Sequence, residues 1–202
     1  MEDRVGLFID YQNVYMRARE SFAATDGNHT DGQIDPLRLG QLLIARSPFS
    51  RKLTEVRVYR GQPDSTRDPK GYAACERQCN RWRRAGVTVV TRTLRYPADW
   101  PNSSSSDKPR EKGIDVALAI DYAMMAVRSE FDVAILMSTD TDLKPALEVV
   151  SDQTKVRAEV AAWSTPGAHS RRLSIVGRQL WCHWLNADNY IAVADPTDYN
   201  RP

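Results

Sequence analysis

With 202 residues, 42% hydrophobic and 27% charged, the chain has the length and composition of one soluble globular domain, which excludes a disordered or fibrous protein. A formal net charge of +2 excludes nucleic-acid binding by bulk charge, so any such surface must come from local clustering. No stretch approaches the roughly 20 apolar residues of a membrane span, and the opening MEDRVGLFID carries acid where a signal peptide has a basic region; the expected compartment is the cytoplasm.

In chain order, VGLFI (Val5 to Ile9) reads as a strand and is followed by a helix from about Gln12 to Phe22. ATDGNHTDGQ is a polar loop of turn residues. A second helix opens with Asp35 as N-cap and Pro36 in its first position and stops near Pro48. TEVRVYRG (Thr54 to Gly61) alternates apolar and charged residues and reads as a second strand. A helix from about Pro69 ends at Gly86, and VTVVTRTL is the third strand. RYPADWPNSSSSDKPREK, with three prolines and a serine run, predicts a mobile loop over residues 95–111.

KGIDVALAIDYAMMAV (Lys112 to Val127) is a helix apolar enough on most faces to predict burial between layers. DVAILMS (Asp132 to Ser138) is continuous in apolar content, as central parallel strands are. A helix from about Asp142 follows, in which Pro145 is tolerated because it lies in the first turn. KVRAEVAAW is a fifth strand, a small helix is expected near His169 to Ile175, and RQLWCHWL is a short sixth strand. Residues 187–202 read as a tail that packs at Tyr190 and Ile191 and is then released, leaving one domain over residues 1–186. Strands alternating with helices imply right-handed crossovers and a mainly parallel sheet, that is, a three-layer α/β/α sandwich.

Cys75, Cys79 and Cys182 make an odd number without a secretion signal, which argues against a disulfide framework. Cys75 and Cys79 share a helix face but lack a partner set for zinc, so ordinary packing is the reading. RQCNRWRR (Arg77 to Arg84) reads as a solvated basic helix face. LWCHWLN, with Trp181 and Trp184, fits either core or an interface with a second copy.

In such folds ligands sit at the carboxyl ends of strands. Strand one ends on Asp10, with Asn13 a helical turn later; strand four ends in Ser138, Thr139, Asp140 and Asp142; the helix between begins with Lys112 and Asp115. Each has an ordinary use: Asp10 and Asp142 as helix caps, Lys112 as a solvated lysine, Asp115 as a first-turn acid favoured by the helix dipole. Independent capping does not explain why two strand-end acids and a helix-start acid share one edge. Two unit charges about 4 Å apart repel by roughly 4 kcal/mol at an effective dielectric of 20, so converging acids need protonation, dispersal or a divalent cation. Oxygen ligands without histidine or thiolate select Mg2+ or Mn2+ over zinc.

FIDYQN, KGIDVALAIDYA and ILMSTDTDLKPAL, in that order, resemble the NYN domain, a branch of the PIN-like nucleases related to the LabA-like proteins. The resemblance spans roughly Val5 to Trp163. It implies a PIN-like sheet whose acidic pocket binds Mg2+ or Mn2+ and hydrolyses RNA phosphodiesters. It places metal ligands at Asp10, Asp115 and Asp140, with Asn13 and Asp142 completing the catalytic set and Ser138 opening the strand-four motif beside Thr139. Asp121 matches a frequent aspartate of the family's helix, but six residues from Asp115 turn it about 240° away. Lys112 at the helix N-terminus suits a phosphate oxygen, and Arg92, Arg95, Tyr96, Trp100, Lys108 and Arg110 fit equally two readings: phosphate contact and base stacking on single-stranded RNA, or a basic loop that is simply solvated. The rival reading is a non-catalytic module of the same fold that binds RNA or protein. A haloacid-dehalogenase-like phosphatase needs an aspartate where Gln12 stands, and no GxGxxG, GxxxxGK or GxSxG motif occurs in a fitting place.

Overall fold

The computed structural model describes residues 2–24, 27–98, 100, 108–166 and 171–201. Six strands, β1 (Asp3–Asp10), β2 (Arg51–Gln62), β3 (Thr88–Thr93), β4 (Val133–Met137), β5 (Arg157–Trp163) and β6 (Trp181–Leu185), form one sheet in the order β3-β2-β1-β4-β5-β6. Every neighbouring pair is parallel. The helices are α1 (Tyr11–Phe22), α2 (Pro36–Ala45), α3 (Pro69–Arg84), α4 (Ile114–Val127), α5 (Lys144–Gln153) and α6 (Ala187–Val193).

The pleat explains the layers. Val5, Leu7 and Ile9 of β1 and Val133, Ile135 and Met137 of β4 face a core completed by α1, α2, α3 and Val193 of α6. The alternate residues Phe8, Ala134 and Leu136 face Leu118 and Tyr122 of α4 and Leu147 of α5. The chain is therefore a three-layer α/β/α sandwich. Its strand order reverses between β1 and β4, and at such a switch point the loops diverge and leave a crevice beyond the carboxyl ends of the two strands.

Several expectations are corrected. β2 starts at Arg51, three residues before the predicted start at Thr54, because the first residues still pair with Asp3 to Val5 of β1. Helix α4 is not buried on most faces: Val116, Ile120, Met124 and Val127 are exposed, because α5 is the one helix among the described residues that packs closely beside it on that side of the sheet. Residues 171–175 are not helical, and His169 lies outside the described residues, as does the serine run 103–106. The final segment is not released. Asp35 N donates to Val193 O (2.8 Å), Asp195 N to Gln33 O (3.1 Å), and Tyr199 is buried with its hydroxyl on Asp195 (2.6 Å). Ile191, expected to pack, is exposed. Arg77 holds Tyr199 O (2.8 and 2.6 Å) and Arg81 holds Thr197 Oγ1 (2.9 Å), so part of the basic face of α3 fastens this segment. Cys75 and Cys79 are buried with their sulfurs 3.9 Å apart.

Candidate metal centre

Asp10 ends β1 and caps α1: its Oδ1 accepts from Asn13 N at 3.3 Å. Its Oδ2 accepts from the buried Ser138 hydroxyl at 2.8 Å. Ser138 Oγ in turn accepts from Asp140 N at 3.0 Å, so one hydroxyl ties together the acids that end β1 and β4. Asp140 caps a 3-10 turn (Thr141–Leu143) by accepting from Asp142 N at 3.0 Å. That corrects the expected cap: Asp140 does the work given to Asp142, because a 3-10 turn intervenes before α5. Asp115 arrives from the first turn of α4, which Gly113 opens in the left-handed conformation, φ +76°.

One oxygen from each of Asp10, Asp115 and Asp140 lies within 4.8 Å of the others. At that separation each charged pair repels by roughly 3.5 kcal/mol at an effective dielectric of 20. Burial pushes the Asp10 carboxyl up to about 7, against the pull of its bonds to Ser138 and Asn13, and the charges of Asp115 and Glu111 add to the rise. Burial also raises Asp115, followed by the charges of Asp140 and Asp142. Such groups are short of positive charge. Three hard oxygen donors converging with no histidine or thiolate among them suit Mg2+ or Mn2+. The adjoining cavity of about 280 Å3 accommodates several waters at ~30 Å3 each.

The other expected residues are distributed unevenly. Asn13 lines this cavity, but its Oδ1 accepts from Thr139 N (3.0 Å) and Thr139 Oγ1 (3.1 Å), fastening α1 to the loop after β4. Ser138, expected to meet substrate, is buried and occupied by two acids. Asp142 is exposed and outside the three-carboxylate group. Lys112, Arg92, Arg95 and Arg110 are exposed and do not line the cavity. Arg92 lies beside Gly113, its Cδ 3.8 Å from where a Cβ would stand. Arg95 and Arg110 pair in an antiparallel bridge, N to O at 2.8 and 3.0 Å, which pins both ends of the loop between them. Asp121 turns away and accepts from Tyr59 OH (2.8 Å) and Arg57 (2.9 Å).

Glu111, Arg17 and Glu20 line the cavity and were not expected there. Glu111 accepts from Gly61 N, and burial raises its pKa. Arg17 reaches Thr139 Oγ1 (3.3 Å) and pairs with Glu20 (2.6 Å). Arg17 was discoverable: it lies four residues after Asn13, on the same helix face.

The sequence model of the NYN domain matches residues 4–174. No curated protein matches. A crystal structure of a protein of unknown function from Vibrio parahaemolyticus is similar at 22% identity over 79% of this chain and 81% of that one, with a TM-score of 0.47.

Proposed function

Because the chain belongs to the NYN domain family, we propose that it is a metal-dependent ribonuclease whose reaction runs at the Asp10, Asp115 and Asp140 cluster. The observation that carries this reading is the convergence of the three carboxylates within 4.8 Å at the switch point between β1 and β4. Asp10, Asp115 and Asp140 would hold the cation, Mg2+ or Mn2+. Such an ion, when bound, lowers the pKa of water and stabilises charge on a phosphate under attack.

The chain supplies the remainder. Ser138 fixes the spacing of Asp10 and Asp140 through its two hydrogen bonds, a positioning role. Asn13 holds the loop after β4 against α1. Asp142 adds negative charge beside Asp115. Arg17, in the cavity wall, meets a phosphate oxygen. Glu111 sits in the same wall with a raised pKa and takes up a proton from the attacking side. Lys112, Arg92, Arg95 and Arg110 guide single-stranded RNA towards the cavity from the surrounding surface, while Thr139 keeps Asn13 and Arg17 in place. No helix among the described residues is long and apolar enough to cross a membrane, and the proposed substrate is cytoplasmic RNA. Trp181 and Trp184, partly exposed on the edge strand β6, are where a second copy would join.

The test is incubation of the purified protein with labelled single-stranded RNA in Mn2+, Mg2+ or EDTA, beside folded Asp10→Asn and Asp140→Asn variants. The expected result is metal-dependent cleavage lost by at least a hundredfold in both variants. RNA bound but uncut would replace this reading with a non-catalytic binding module.

A further inference from the structure

A second cavity, of about 260 Å3, opens on the side of the sheet covered by α1 and α3, and Gln12 lines both it and the acidic one. Its wall contains Arg60 of β2, the residue after Tyr59, which pairs with Asp10 across the sheet. The two cavities therefore adjoin at Gln12.

Arg60 is held in an unusual way. Its guanidinium packs over the rings of Tyr11 and Trp82, 4.9 and 5.6 Å from their centroids. Nη1 donates to Gln78 Oε1. Nε is buried without a partner, and among the described residues no carboxylate forms an ion pair with this cation. Gln78 cannot turn to offer more, because its Nε2 already donates to Tyr11 OH (3.0 Å) and Gln33 Oε1 (2.8 Å). Aromatic faces and one amide offset part of the lost hydration, yet a buried guanidinium normally meets an anion. Among the described residues the Glu111 carboxylate acts on Arg60 through space without forming an ion pair, and the cavity lies open beside the guanidinium.

An anion with several oxygens suits the edge of the guanidinium that lines the cavity, and phosphate does so better than a single carbonyl. The rings of Tyr15, His29 and Tyr199 in the same walls add flat faces of the kind that take a base. We propose that this cavity is a nucleotide subsite, in which Arg60 receives a phosphate and the aromatic wall receives a base. Its place beside the acidic cluster, across Gln12, as a subsite for the same RNA rests on the ribonuclease reading; its affinity for a nucleoside monophosphate unit does not. That unit comes either as a free nucleotide or within a single-stranded RNA.

Calorimetric titration in EDTA separates these cases, using UMP, AMP, uridine and a short single-stranded RNA against the wild type, Arg60→Gln and Ala74→Phe. Ala74 lines the cavity from α3, so a phenylalanine there fills the space while leaving every polar group in place. It covers the case in which Arg60→Gln fails to fold, as monitored by circular dichroism. The expected result is nucleotide binding at least tenfold weaker in each folded variant, and uridine weaker than UMP by a similar factor. Binding of RNA alone, weakened in the same variants, assigns the phosphate to a chain and supports the subsite. Unchanged affinity in the folded variants, or no binding of nucleotide or RNA to the wild type, overturns it. Nucleotide binding that depends on Arg60 in a protein that cleaves no RNA would retain the subsite and reject the ribonuclease reading.

Discussion

Asp10 serves two demands that oppose each other. As the cap of α1 it accepts backbone and hydroxyl hydrogens, which favours the charged form, while burial beside Asp115 and Glu111 disfavours that form and sets its pKa near 7. The unfolded chain ionises Asp10 near its ordinary 3.8. In the folded protein the proton is retained to about 7, so the stability it confers is full below pH 3.8 and is lost as pH rises towards 7. The whole swing is on the order of 4 kcal/mol. In EDTA, Tm should therefore fall between about pH 4 and pH 7; in Asp10→Asn that fall should be largely absent, and Mn2+ should raise the wild-type Tm more at pH 8 than at pH 5. Melting curves by differential scanning calorimetry decide it, and an Asp10→Asn profile parallel to wild type would refute the account. Asp10, Asp115 and Asp140 were legible as residues because each ends a strand or starts a helix at one edge. Glu111 was not, since nothing in REKGID distinguishes a carboxylate folded back onto Gly61 from a solvated one.

Among the elements, α4 carries the most. Its first turn delivers Asp115, and it starts from Gly113 at φ +76°, a conformation that costs a residue with a Cβ roughly 1–2 kcal/mol. A Cβ at Gly113 would meet only Arg92 atoms at 3.8 to 4.0 Å, so the penalty is conformational rather than steric. Gly113→Ala should lower Tm by roughly 2–8 °C and weaken Mn2+ binding, because the first turn must shift to relieve the strain; an unchanged Tm with unchanged affinity would show that the turn is not strained. The helix itself was evident from its apolar content, but its burial was misjudged. Composition cannot say how many neighbours a helix has, and among the described helices α4 shares its layer with α5 only, leaving Val116, Ile120, Met124 and Val127 outward.

Across the whole molecule, the halves of the sheet are joined far from the carboxyl edge. Arg51, the first residue of β2, forks onto Glu159 of β5 at 2.9 and 2.6 Å, and His183 of β6 meets the same carboxylate at 2.8 Å. Both charged side chains of the Arg51–Glu159 pair are 1% exposed. Burial alone would raise the Glu159 pKa, but the hydrogen bonds from His183 and Arg51 outweigh it and the net direction is down. Glu159→Ala leaves Arg51 charged and unpaired inside the protein, an error worth about 3–5 kcal/mol. Urea denaturation should show that loss, with RNA cleavage per folded molecule unchanged; a loss below about 1 kcal/mol would mean that water reaches the pair. This link was invisible in the sequence, where Glu159 is one charge inside an apolar strand and its partner lies 108 positions earlier. Alternation of strands and helices revealed the layers and the parallel sheet. It left open the order β3-β2-β1-β4-β5-β6, because lateral neighbours depend on contacts between distant segments.

The paired backbones of Arg95 and Arg110 make the intervening chain an excursion that departs and returns through one gate. Whatever that excursion contains, the path from residue 110 to Asp115 begins at the same point. The run from residue 110 to Asp115 therefore starts from a backbone held by strand-like pairing, and the acid at its far end inherits that anchorage.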